Sequence, residues 1–110
     1  MIKRISLVWK RPELSDEEFR RLWLGEHVLY AKRLPALREY VIDFAVERLP
    51  GAPDGIATVR FDSREALDRA FGDPLLSAEL SRTREGFARA VQVLIVDEHP
   101  VVPLRDSEAS

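Results

Sequence analysis

Glu26 and His27 place a carboxylate and an imidazole side by side within a stretch whose other inward positions are apolar. Imidazole changes charge near neutral pH, which suits a general acid or base. Tyr40 adds a phenol able to donate a hydrogen bond to a carbonyl or enolate. An imidazole near a phenol suits moving a proton next to a carbonyl. Hydrolysis would need a placed nucleophile or an activated water, and the chain supplies neither. Each residue also has a plainer role. His27 could hold a helix to a strand, Glu26 could pair with a surface Arg or Lys, and Tyr40 could edge the core. The expected site is a cleft lined by His27, Tyr40, Trp9, Trp23 and Phe61.

Several chemistries are set aside by what the chain lacks. There is no cysteine, which removes disulfides, thiolate metal sites and cysteine nucleophiles. His27 and His99 are not at ligand spacing and have no H-x-x-x-H or E-x-x-H companion, so no metal site is expected. His99 reads as a surface residue. No G-x-S-x-G elbow supports a nucleophilic serine. A net charge of -2 gives no basic balance for nucleic acid. Arg20–Arg21 and Arg82–Arg84, interleaved with acids, read as solvated faces. No apolar run is long enough for a signal peptide or a membrane span, so a cytoplasmic protein is expected.

The stretch from Ser15 to Leu34 must position the imidazole. Ser15 and Glu18 form an S-x-x-E capping box, with Leu14 and Phe19 placed as a hydrophobic staple. Asp16, Glu17 and Glu18 complement the helix dipole. Phe19, Leu22, Trp23, Tyr30, Ala31 and Leu34 make one apolar stripe. The stripe skips a turn at Glu26 and His27, and such departures tend to mark function. The helix ends near Leu34–Pro35.

Around it, Ile2 to Trp9 reads as a strand with Ile5, Leu7 and Trp9 on one face and Arg4, Ser6 and Val8 on the other. Leu37 to Glu47 reads as a second strand. The turn-rich segment from Pro50 to Gly55 links it to a third, Ile56 to Phe61, with Ala57, Val59 and Phe61 on one side. Asp62 and Ser63 offer a cap for a helix carrying Ala66, Leu67, Ala70 and Phe71 inward, stopping at Gly72. A further helical segment, Leu75 to Ala88, precedes a last strand, Val91 to Val96, apolar enough to predict a central or covered place. Residues 103–110 read as a disordered polar tail.

With 110 residues the chain makes one domain. The order β-α-β-β-α-β predicts an α+β, ferredoxin-like split βαβ fold: a four-stranded antiparallel sheet with the helices on one face. Tyr40, Ile42, Phe44, Val91, Val93 and Ile95 exceed the apolar needs of one covered face, so a second chain is expected over the other, giving a homodimer.

The run F-x-x-x-W-x-x-x-H through Phe19, Trp23 and His27, the run L-P-x-L-x-x-Y through Leu34, Pro35, Leu37 and Tyr40, and Asp54–Gly55–Ile56–Ala57 leading to Phe61–Asp62–Ser63 together resemble the EthD family. The resemblance spans Ile2 to about Val102, giving an EthD-like domain over residues 1–102. It implies a dimeric α/β barrel, with the family's helix histidine at His27 and its strand tyrosine at Tyr40. Asp54 joins the candidates as a recurring family residue, although in a P-D-G turn it commonly bonds to backbone. The wider superfamily includes cofactor-free isomerases, cyclases and monooxygenases, and haem-degrading enzymes. Isomerase relatives use cysteine, which is absent here. Asparagine, on which the superfamily's monooxygenase sites depend, is absent too.

The resemblance therefore implies a small dimeric protein binding a hydrophobic or aromatic compound in a degradation pathway. In the first reading it is an enzyme without cofactor, performing proton transfer or oxygenation through His27, Tyr40 and Glu26, with Trp9, Trp23, Phe61 and Asp54 around the ligand. A non-catalytic ligand-binding or accessory dimer is the second reading. A haem protein with His27 or His99 as axial ligand is the third.

Overall fold

A computed structural model describes the protein over residues 1–107. Its elements are β1 (Ile2–Lys10), α1 (Asp16–Leu22), a wide π-type turn (Trp23–His27), α2 (Val28–Ala31), β2 (Glu39–Phe44), β3 (Gly55–Phe61), α3 (Arg64–Ala70), α4 (Pro74–Glu85) and β4 (Ala88–Asp97). All strand pairs are antiparallel, in the order β2-β3-β1-β4. This is the ferredoxin-like α+β arrangement.

Helix starts follow their caps. The Ser15 hydroxyl accepts from the Glu18 amide at 3.1 Å, and Glu18 accepts from the Ser15 amide at 3.2 Å. Such a cap is worth about 1 kcal/mol. Leu14 packs against the cluster that holds Phe19. Ser63 alone caps α3, accepting from Ala66 N at 3.1 Å, while Asp62 pairs instead with Arg38. Asp73 caps α4, with Pro74 as its first residue.

The stretch from Ser15 to Leu34 is not one straight helix. It widens at Trp23–His27, and Gly25 leaves the helical region altogether, at φ -86° and ψ -118°. A lone glycine in a helical pattern gives little sequence warning of such a break. The second strand is also shorter than expected, running from Glu39 to Phe44 rather than from Leu37 to Glu47.

Register shows which strand residues meet the helices. Val8 lies opposite Gly55 and Val91, and Ser6 opposite Ala57 and Val93. Val59 lies opposite Arg4 and Tyr40. The helix-side face therefore carries Arg4, Ser6, Val8, Tyr40, Ile42, Phe44, Val91, Val93 and Ile95. Of the six residues expected on an uncovered face, Tyr40, Ile42, Phe44 and Val91 are thus partly buried on the helix side, whereas Val93 and Ile95, on the same face of the edge strand, stay 41% and 40% exposed. The open face instead carries Ile5, Leu7, Val41, Ile56, Leu94 and Val96. β4 is an edge strand, not a central one. Its continuous apolarity reflects apolar residues on both of its faces.

The core lies between sheet and helices in two clusters. One groups Val8, Phe19, Trp23 and Phe87, and the other centres on Phe61, Leu67, Ala70, Leu76 and Leu80. Trp23 stacks on Phe87, with ring centres 5.2 Å apart. Gly55 makes room for that tryptophan, since a Cβ there would lie 2.5 Å from the indole ring. Residues 103–107 of the expected tail are exposed and lack regular structure, and residues 108–110 lie outside the described residues. No helix among the described residues is long and apolar enough to cross a membrane.

Candidate functional site

Between sheet and helices is a cavity of about 260 Å³, near the small end for ligand sites. Its floor is Arg4, Ser6 and Val8 of β1, Ala57 and Val59 of β3, and Tyr40 of β2. Trp23 and His27 of the π-type turn form one wall with Ala31 and Leu34. α4 forms another through Ser77, Leu80, Ser81 and Arg84. The site is thus assembled by long-range packing.

His27 is half-buried and lines this cavity. Its Nδ1 lies 2.7 Å from Thr83 Oγ1. The Thr83 hydroxyl also lies 2.8 and 3.2 Å from the carbonyls of Glu79 and Leu80, either of which can take its single proton. With that proton on a carbonyl, Thr83 accepts from His27 and the ring carries its proton on Nδ1, the tautomer that leaves Nε2 unprotonated. Burial, and then the Arg84 charge, lower the His27 pKa to about 4. The ring is neutral at pH 7. The Phe87 ring packs edge-on against it at 5.3 Å.

Tyr40 enters from the sheet, held in place by the pairing of β2 with β3. Burial raises its pKa to about 12, partly offset by the Trp23 indole N–H. At neutral pH it is a protonated donor. Trp23 is 1% exposed, and its Nε1–H faces the Tyr40 oxygen without forming a well-aligned hydrogen bond to it or to any other described residue.

The structure brings together His27, Tyr40 and Trp23 of the expected set. Glu26, the adjoining residue in the chain, is turned outward by the kink and binds Arg82 at 2.8 Å on the surface. Trp9 lies on the open face of the sheet and donates its indole N–H to Gly51 O at 2.9 Å. Phe61 shares the helix-side face but is fully buried in the second core cluster, away from the cavity lining. Asp54 clamps the β2–β3 connection, accepting from Lys10 N at 2.8 Å and pairing with Arg48 at 2.9 Å. These four side chains are occupied in packing or local bonds outside the cavity.

Sequence reasoning missed Arg4, Arg84 and Thr83. Arg84 falls four residues after Leu80, on the inward stripe of α4 where an apolar residue would be expected. That spacing was the available signal. Arg82 does lie on a solvated face, but Arg84 points the other way. His99 sits beyond β4 and pairs with Asp97 on the surface at 2.9 Å. Among the described residues no three His, Cys, Asp or Glu side chains converge on a metal position.

The EthD domain model matches residues 11–90. The chain belongs to the EthD family. An EthD family protein from Bacillus halodurans has 20% identity and a TM-score of 0.72, covering 90% of this chain and 99% of its own. A dimeric ferredoxin-like protein of unknown function from Thermobifida fusca has 13% identity and a TM-score of 0.67, covering 86% and 88%. The cofactor-independent oxygenase SnoaB from Streptomyces nogalater, solved as a mutant, has 12% identity and a TM-score of 0.65, covering 94% and 97%. No curated protein sequence matches. At these identities the likeness of this EthD chain to the solved structures is one of fold.

Proposed function

We propose that this EthD protein binds a small hydrophobic or aromatic carbonyl compound in the helix-side cavity and moves a proton on it without a cofactor. The observation that carries the reading is the convergence of His27 and Tyr40, from separate elements, on one largely apolar cavity. His27 acts as base through Nε2, with its proton on Nδ1 toward Thr83. Tyr40 donates to the oxyanion that develops on the substrate. Likeness to a cofactor-independent oxygenase is compatible with such a site but does not select the reaction.

A second reading, a non-catalytic ligand-binding dimer, is favoured by one fact. A histidine with pKa about 4 is a weak base at pH 7, and proton transfer works best with a pKa near the working pH. Haem is disfavoured by cavity size and by the exposed, Asp97-paired position of His99. The assembly proposed is a homodimer joined through the open sheet face.

A thermal-shift panel of phenols, quinones and lactones tests the binding. With a substrate in hand, His27→Ala should lower the rate roughly a hundredfold or more. Wild-type turnover by His27→Ala and His27→Gln would remove the mechanism and leave the binding dimer.

A further inference from the structure

Two guanidinium groups line the cavity, and no carboxylate among the described residues does. Arg4 rises from β1 and Arg84 from α4, and neither forms a salt bridge to a described residue. Their polar side-chain contacts are weak: Arg4 to Ser6 Oγ at 3.5 Å, and Arg84 to Ser81 Oγ at 3.4 Å. Arg4 also lies over the Phe71 ring, 4.3 Å from its centre. The Arg84 charge acts on both Arg4 and His27. Two half-buried cations repelling each other across an apolar cavity are destabilising unless an anion joins them.

Trp23 carries an independent sign. Its buried Nε1–H lies on the cavity wall and meets the Tyr40 phenol without a well-aligned hydrogen bond to it. Leaving such a donor unsatisfied is costly, and an acceptor-rich ligand would meet it. Arg4, Arg84, Tyr40 and Trp23 are all donors here, whereas the remaining walls are mostly apolar.

We infer that the cavity selects a compact organic acid, its carboxylate held between Arg4 and Arg84 and its hydrocarbon body against Leu80 and Phe87. This rests on the reading of the cavity as a ligand site and adds the charge of the ligand to it. Arginine is suited to the task because its planar fork matches a carboxylate. The carboxylate also partly neutralises the Arg84 field at His27. The groups around that imidazole are Thr83, Arg84, Phe87 and the Leu80 carbonyl, with Arg21, Glu26 and Arg82 lining a second pocket that His27 also borders. A bound acid therefore removes the Arg84 part of the lowering at His27, while burial, the larger cause, remains.

Benzoate and benzamide, nearly equal in shape and different in charge, form the test pair. The indole ¹H–¹⁵N signals of Trp23 and Trp9 report on the cavity and on the open face respectively. Benzoate should move the Trp23 signal, leave Trp9 in place, and bind roughly ten- to hundredfold tighter than benzamide. Arg84→Gln should reduce that ratio to near one, with Arg4→Gln carried in parallel in case either variant misfolds. The His27 titration midpoint should lie higher with saturating benzoate than with saturating benzamide, which buries the ring equally without the charge. Equal binding of the two probes in the wild-type protein overturns the inference while leaving the cavity as a ligand site. If neither probe moves Trp23 at millimolar concentration, the inference and the cavity reading fail together.

Discussion

At the scale of residues, His27 combines a close bond to Thr83 with a depressed pKa. Its folded value of about 4, against 6.5 for the free side chain, means the native state resists protonation that the unfolded chain accepts. Its contribution to stability is therefore intact above about pH 6.5 and is lost as pH falls toward 4. Urea unfolding between pH 7 and 4 should show this slope in the wild-type protein and a flatter one in His27→Gln. Equal slopes would mean the imidazole is not shielded as described. Gly55 gives a second residue-level prediction. Gly55→Ala drives a Cβ into the Trp23 ring and should cost roughly 1–3 kcal/mol of stability by overpacking. An unchanged melting curve would contradict the close approach of β3 to the indole.

At the scale of elements, the π-type turn sets the site. A continuous helix through Trp23–His27 would carry Glu26 and His27 on the shared inward side that the apolar stripe suggests. With Gly25 out of the helical region, His27 stays inward against Thr83 while Glu26 faces Arg82. π-type turns inside helices are frequent at functional sites. The helix start was legible from Ser15 and Glu18 because a capping box is local chemistry. The alternation of β1 and β3 was legible because a strand has period two. The break at Gly25 was not, since glycine is tolerated in helices. The places of Trp9, Phe61 and Asp54 were not legible either. They depend on which strand face the helices cover and on bonds to Gly51, Lys10 and Arg48, far from local pattern. Arg84 was half legible, by its step from Leu80, but adjoining charges disguised it. Removing the cap by Ser15→Ala should cost about 1 kcal/mol without moving His27. Denaturant midpoints and the His27 ring signal together check both halves of that statement.

At the scale of the whole molecule, the sheet has helices on one face and an apolar stripe on the other. Ile5, Leu7, Val41, Ile56, Leu94 and Val96 share that stripe, with Val41 38% and Leu94 43% exposed. Lys3, Arg60, Glu39 and Glu98 form a charged border at one end. An apolar patch rimmed by charge fits a self-complementary two-fold interface. Burying the faces of two chains should remove more than about 1,000 Å² from water. Sedimentation should find a dimer at micromolar concentration, and Leu94→Glu should shift it toward monomer. A wild-type monomer would contradict the proposed interface without touching the cavity, which lies on the other side of the sheet. The cavity holds the central claim, that His27 moves a proton on a carbonyl compound which Tyr40 helps to hold. Deuterium exchange in D₂O, followed by NMR at the carbon next to the carbonyl of a bound lactone or keto acid, tests it most directly. Exchange is expected with the wild-type protein, roughly a hundredfold slower exchange with His27→Ala, and an intermediate loss with Tyr40→Phe. Exchange at the wild-type rate in His27→Ala, or none in the wild-type protein with a ligand shown to occupy the cavity, would contradict it.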